Sequence, residues 1–123
     1  MSRQHQVPSE INYHSKSRVL EIRFGDETFE LSAEFLRVHS PSAEVRGHGP
    51  GQEVLQTGKE QVGIARIEPV GNYAVRLYFD DGHNTGIYSW EELYRLGSRR
   101  DELWRDYLTA LAAAGHQRKA GPS

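Results

Sequence analysis

The segment "NYAVRLYF", residues 72–79, constrains the fold most strongly, because its large apolar side chains recur at every second position. An extended chain places such a set on one face, whereas a helix would distribute it around the axis. The buried face of this predicted strand carries Tyr73, Val75, Leu77 and Phe79. Short turns join "VGIARIEP" before it and "HNTGIYSW" after it, so the three segments predict an antiparallel meander.

An earlier segment, "RVLEIRF", has the same period of two. Its side chains Leu20, Ile22 and Phe24 alternate with others that are mostly charged. The dipeptide Gly25-Asp26 then favours a turn, after which "TFEL" returns along the first strand. These residues predict a hairpin.

Serines mark the predicted helix starts. Ser32 precedes "AEFL" and can cap a brief helix, and Ser89 opens the capping-box sequence "SWEE". The helix after Ser89 is predicted to end at Gly97, and a further helix is predicted to begin at Ser98. The apolar stripe of this last helix consists of Leu103, Trp104, Tyr107, Leu108 and Leu111.

Together these elements predict an α+β fold, with an antiparallel sheet of about five short strands and two C-terminal helices packed on it. A chain of 123 residues has enough material for a single core but not for two. Residues 1–16 and 115–123 are polar and aperiodic. We therefore expect one domain at 17–114 between two disordered tails.

Composition excludes several classes of function. The chain contains no cysteine, which removes disulfides, thiolate metal sites and cysteine nucleophiles. A net charge of -2 gives no reason to expect binding to nucleic-acid phosphates. No apolar leader segment and no run of about 18 apolar residues is present. We expect a cytoplasmic protein, monomeric or weakly dimeric, that binds neither nucleic acid nor membranes.

Residues 37–60 are rich in Pro, Gly, Ser and charged residues, and a loop of this length inside a compact domain is usually functional or mobile. The loop carries His39 and His48, and His83 lies beside the turn at Asp81. If the loop folds across the meander, the three imidazoles can converge on zinc or another divalent metal. The alternative is that they are ordinary loop and turn residues.

Other patterns do not meet the requirements of a known site. The glycine-rich stretch 47–51 follows no strand, and Glu60 stands where a phosphate-binding loop needs a hydroxyl. Turn and capping chemistry explain the paired carboxylates at 80–81 and 91–92. The sequence contains no G-x-S-x-G elbow, and we expect no enzymatic activity.

Three segments together resemble one known family, the gamma-butyrobetaine hydroxylase-like N-terminal domain, and in particular its small free-standing bacterial members. These are "LRVHSPSAEV" (36–45), "VGNYAVRL" (70–77) and "FDDGHNTGIYSWEEL" (79–93), and the resemblance covers residues 16–97. In that family the domain precedes the catalytic part of some dioxygenases and is fused to some iron–sulfur cluster carriers. The resemblance therefore implies an accessory module.

The resemblance also implies a zinc site that this chain has lost. In the dioxygenases the domain holds zinc through three cysteines and a histidine. The three cysteines correspond to Ser40, Ser42 and Val45 of this chain, and the histidine corresponds to His83. Two hydroxyls and a valine do not replace thiolates around zinc.

On this basis we expect a non-catalytic binding or adaptor module that engages another protein. By analogy with the family's fusions, that protein is connected with iron–sulfur or metal-dependent enzymes. The alternative is a metal-binding domain that uses His39, His48 and His83 in place of the family's cysteines.

Overall fold

A computed structural model describes residues 7–47 and 54–118, which form two three-stranded antiparallel sheets and four helices. The strands are β1 (Glu10–His14), β2 (Val19–Phe24), β3 (Glu27–Ser32), β4 (Ile64–Val70), β5 (Ala74–Phe79) and β6 (Gly86–Ser89). The helices are α1 (Ala33–Val38), α2 (Ala43–Arg46), α3 (Trp90–Ser98) and α4 (Arg100–Ala113). The predicted α+β class is confirmed, although the six strands lie in two sheets and not one.

The first sheet has the order β1-β2-β3, so the predicted hairpin β2-β3 gains a third strand. Ile11 and Tyr13 of β1 pack against the core, and the Tyr13 hydroxyl accepts a hydrogen bond from the Ile64 backbone N–H at 3.0 Å. The prediction of a disordered tail at 1–16 is therefore wrong for residues 10–14. Two alternating apolar side chains suffice there, because β2 supplies partners for the backbone of β1.

The second sheet, β4-β5-β6, is the predicted meander. Val75, Leu77 and Phe79 of β5 are buried as expected. Tyr73 is 56% exposed, because it lies in the turn before β5, so its predicted place on the buried face is wrong. A single apolar cluster joins both sheets to α1 and α3.

The predicted caps are present at the first and third helices. Ser32 Oγ accepts a hydrogen bond from the Phe35 N–H, and Ser89 Oγ accepts one from the Glu92 N–H, both at 3.0 Å. The last helix begins at Arg100 and not at Ser98, without a side-chain cap. Its stripe is narrower than predicted, since Tyr107 and Leu111 are buried whereas Leu108 is 39% exposed.

The C-terminal segment predicted as a tail contacts the domain. Arg118 donates two hydrogen bonds to the buried carboxylate of Glu34, and its guanidinium lies 5.5 Å from the ring centroid of Trp104. The predicted start of the tail at 115 is therefore wrong for Arg118, because a buried carboxylate needs a cationic partner. None of the helices in the described ranges is long and apolar enough to span a membrane.

Candidate functional site

The fold brings the segment after α1 against the turn between β5 and β6. Ser40 Oγ lies 2.9 Å from Nε2 of His83, and Nδ1 of His83 lies 3.0 Å from a carboxylate oxygen of Glu44. Ser40 is 1% exposed and His83 is 6% exposed. Because the Glu44 carboxylate only accepts, Nδ1 of a neutral imidazole carries the proton, and Nε2 accepts from the Ser40 hydroxyl.

Small side chains make this close approach possible. A Cβ atom at Gly86 would lie 2.5 Å from Ser40 Oγ, which is far inside van der Waals contact. Ser42 extends the contact between the two segments, since its Oγ lies 2.7 Å from Oγ1 of Thr85. Beside them, the buried Tyr88 hydroxyl donates to the Leu36 carbonyl at 2.5 Å.

The Asp81 carboxylate, in the same turn, binds side chains from two other segments of the chain. Asp81 accepts hydrogen bonds from Arg37 Nε at 2.9 Å, from Lys59 Nζ at 2.6 Å and from the His83 backbone N–H at 3.1 Å. Burial alone would raise the pKa of Asp81, but these bonds, led by that of Lys59, lower it to about 2. Asp81 is therefore ionised, and it ties α1 and the end of the long loop to the turn.

Both described histidines of the predicted metal site favour their neutral forms. Burial lowers the pKa of His83, and the charge of Arg37 lowers it further, against the opposing effect of Glu44. Burial also lowers the pKa of His39, whose Nδ1 donates to the Phe35 carbonyl at 2.9 Å. Each imidazole is thus already engaged as a neutral hydrogen-bonding group.

Two of the three predicted metal ligands, His39 and His83, lie in the described part of the chain. His39 and His83 have separate sets of partners, and His48 lies outside the described residues. Within 7–47 and 54–118, no group of three or more His, Cys, Asp or Glu side chains is placed to hold a metal ion. The three-histidine site as a whole stays a prediction.

The residues at the family's zinc positions do not fit zinc. Ser40 and Ser42 lie beside the β5–β6 turn, but they offer hydroxyls already bonded to His83 and Thr85, and Val45 offers no donor atom. Structural zinc sites use four thiolate or imidazole ligands. A hydrogen-bonded contact occupies the place where the resemblance puts the metal.

Ser40, His83 and Glu44 also have the connectivity of a hydrolytic triad, which sequence analysis missed because His83 is 43 residues from Ser40 and 39 residues from Glu44. The geometry does not make them a nucleophilic site. Ser40 Oγ is buried and additionally accepts the Ser42 backbone N–H at 3.2 Å, whereas a nucleophile must reach a substrate carbonyl. The constellation joins two segments of the fold.

A groove of about 950 Å3 lies between α1, α2, α4 and residues 54–56. Apolar side chains that line it are Val38, Val45, Val54, Leu55, Tyr107 and Ala110. Val54 is 51% exposed and Leu55 is 37% exposed. His39 also lines the groove, and the charged side chains Arg46, Glu92 and Arg95 stand at its edge.

Comparison with known proteins identifies relatives. Residues 11–94 match the model of the family described as gamma-butyrobetaine hydroxylase-like, N-terminal. A protein solved in solution by NMR is 51% identical, with a TM-score of 0.83 over 97% of this chain and 94% of its own. A second NMR structure is 48% identical, with a TM-score of 0.79 over 100% and 97%.

A crystal structure is also similar, that of a protein of unknown function in the DUF971 family from Acidithiobacillus ferrooxidans ATCC 23270. Its sequence is 42% identical, and its TM-score is 0.64 over 78% of this chain and 98% of its own. No curated protein matches the chain.

Proposed function

Since the chain belongs to the family of gamma-butyrobetaine hydroxylase-like N-terminal domains, we propose that it is a non-catalytic adaptor that docks onto another protein through the groove. The groove receives an apolar segment of that protein. The family's fusions to dioxygenases and iron–sulfur carriers support a partner among metal-dependent enzymes.

The observation that carries this proposal is the exposure of Val54 and Leu55 beside buried apolar groups. Val54 and Leu55 leave about half and over a third of their surfaces to solvent, next to Val38, Val45 and Tyr107, which are buried. Covering such side chains yields roughly 25 cal/mol for each Å2 of apolar surface removed from water. A continuous apolar groove of this kind is typical of a binding site.

Hydrogen bonds within the chain stabilise the shape of the groove in the absence of a partner. The Val54 backbone N–H donates to the Val45 carbonyl at 2.8 Å, and the Tyr107 hydroxyl donates to the Gln56 carbonyl at 2.7 Å. Arg37 also donates to the Gln56 side chain at 2.9 Å. Preorganisation of this kind lowers the conformational entropy lost on binding.

The proposal is tested by comparing three immobilised proteins against extract of the source cells: the natural chain, a Val54→Asp/Leu55→Asp variant and a Tyr73→Asp control. Tyr73 is exposed like Val54 but does not line the groove. We expect one protein to be retained by the natural chain and the control but not by the groove variant. That protein, once purified, should bind with 1:1 stoichiometry in calorimetry.

Two results would overturn the proposal. One is equal retention of the same proteins by the groove variant and the natural chain. The other is failure of the purified candidate to bind in calorimetry. Circular dichroism must show that all three proteins are folded, and a single Val54→Asp variant serves if the double variant is not.

A further inference from the structure

We propose that the segment bound in the groove is acidic as well as apolar, and that one of its carboxylates binds Arg46 and Arg95 in place of Glu92. This inference rests on the proposed docking function and specifies the partner's chemistry. It follows from an imbalance of charge at one edge of the groove. That edge is formed by the C-terminal end of α2 and one face of α3.

Two guanidinium groups share a single carboxylate at this edge. Arg95 Nη2 donates to Glu92 Oε2 at 2.8 Å, and Arg95 Nε donates to Oε1 at 3.3 Å. Arg46 Nη2 makes a single contact of 3.3 Å to the same Oε2. One negative charge therefore faces two positive charges.

The arginines are accessible, whereas the carboxylate between them is not. The side chains of Arg46 and Arg95 are 54% and 43% exposed, and that of Glu92 is 15% exposed. A guanidinium has five N–H donors, and Arg46 uses one of them among the described residues. Unused donors in a fixed fork next to an apolar groove favour a carboxylate that arrives with an apolar segment.

The other charges close to the groove do not remove this excess. Arg37 is paired with Asp81 at 2.9 Å, and the Glu44 carboxylate, which accepts a hydrogen bond from the neutral His83, does not line the groove. Burial lowers the pKa of His39, so its imidazole adds no charge at neutral pH. The groove therefore presents an apolar floor with one net positive charge at its edge.

Glu92 acts as an internal competitor for the two arginines. Its carboxylate occupies the donors that an incoming carboxylate would use, so its removal should tighten the binding of an acidic segment. Glu92→Gln keeps the size of the side chain and leaves the backbone N–H that Ser89 caps. A purely apolar groove would not respond to this change.

A phage library of random 16-residue peptides, selected against the untagged natural chain, provides a defined probe. We expect a consensus of aliphatic residues with one or two Asp or Glu. A synthetic consensus peptide should lose at least 10-fold in affinity when its Glu is changed to Gln, measured by fluorescence anisotropy at about 50 mM salt. The difference should shrink at high salt, because exposed ion pairs are screened.

Protein variants complete the test with the same peptide. Arg46→Gln/Arg95→Gln should bind about 10-fold more weakly, and Glu92→Gln should bind several-fold more tightly. Arg105→Gln, an exposed arginine outside the groove, should bind like the natural chain.

The outcomes separate the two proposals. Two results would overturn the acidic inference and leave groove docking intact. One is an aliphatic consensus without acidic preference. The other is unchanged affinity in the Arg46→Gln/Arg95→Gln and Glu92→Gln variants. Equal enrichment of peptides by the natural chain and by Val54→Asp/Leu55→Asp, or no enrichment by either, overturns both.

Discussion

Ser40 Oγ and His83 Nε2 lie 2.9 Å apart although 43 residues separate them in the chain. The hydroxyl and the imidazole form a buried, neutral hydrogen bond at the place where the resemblance puts a zinc ion and its thiolates. Each partner has a further bond, Ser40 to the Ser42 N–H and His83 to Glu44. Hydrogen bonds thus join the two segments that a metal ion would otherwise join.

Restoring thiolates at the three zinc positions should restore metal binding. We expect a Ser40→Cys/Ser42→Cys/Val45→Cys variant to retain one zinc per chain, with His83 as the fourth ligand. Elemental analysis after dialysis, on protein without a histidine tag, measures this. The Ser40→Cys/Ser42→Cys variant is the control and should bind zinc more weakly.

The natural chain should contain no stoichiometric metal and should keep its circular dichroism spectrum in the presence of a chelator. Stoichiometric metal in the natural chain that is lost on changing His39, His48 or His83 to Ala would instead establish the three-histidine site. Such a result would contradict our interpretation of the Ser40–His83 contact.

Asp81→Asn should destabilise the domain by about 2 kcal/mol at pH 7, since a carboxylate shifted from 3.8 to a pKa of about 2 contributes roughly that amount. The lowered pKa stabilises the fold above pH 3.8, and this contribution is lost as the pH falls through about 2. Urea unfolding at pH 7 and pH 3 measures both effects. The exposed Asp106→Asn serves as the matched control, and an equal loss in both variants would refute the role of Asp81.

Stability should fall between pH 7.5 and pH 5. The pKa values of His39 and His83 are lowered in the folded state, so the unfolded chain takes up protons first and is favoured as the pH drops below about 6.5. His39→Gln should flatten the dependence of the urea midpoint on pH without abolishing it. His116→Gln, at an exposed position, should leave the slope unchanged.

Tyr88→Phe should cost about 1–3 kcal/mol, because it leaves the Leu36 carbonyl without its buried donor. The hydroxyl donates across 52 residues, from β6 to the end of α1. Urea unfolding at pH 7 gives the value. Tyr73→Phe removes a hydroxyl from a residue that is 56% exposed, and its effect should stay within about 0.5 kcal/mol.

Arg118→Gln should lower the free energy of unfolding by about 1–3 kcal/mol, because it leaves the buried Glu34 carboxylate without its cation. The fluorescence of the two tryptophans should also change, since the guanidinium lies over the ring of Trp104. Arg105→Gln, an exposed position on α4, provides the control. A loss no larger than that of the control would restore the view that residue 118 belongs to a tail.

Local patterns in the sequence determined most of the secondary structure. The alternation in β2 and β5 and the serines before α1 and α3 act within a few residues, so they identified those elements and their caps. The strand β1 was not predicted, because it has only two apolar side chains. Its stability comes from pairing with β2 and from the hydrogen bond between Tyr13 and Ile64. The contact of Arg118 was not predicted either, because its partner Glu34 is 84 residues away in the chain.

The sequence by itself determined the fold class, the absence of thiolates and the family. Composition and short-range periodicity depend only on which residues are present and on their spacing along the chain. Only the tertiary structure decided that Ser40 meets His83, that Asp81 joins Arg37 to Lys59, and that Val54 borders a groove with Tyr107. Hydrogen bonds and apolar contacts act over a few ångströms of space. Which distant residues come within that range depends on how the whole chain packs.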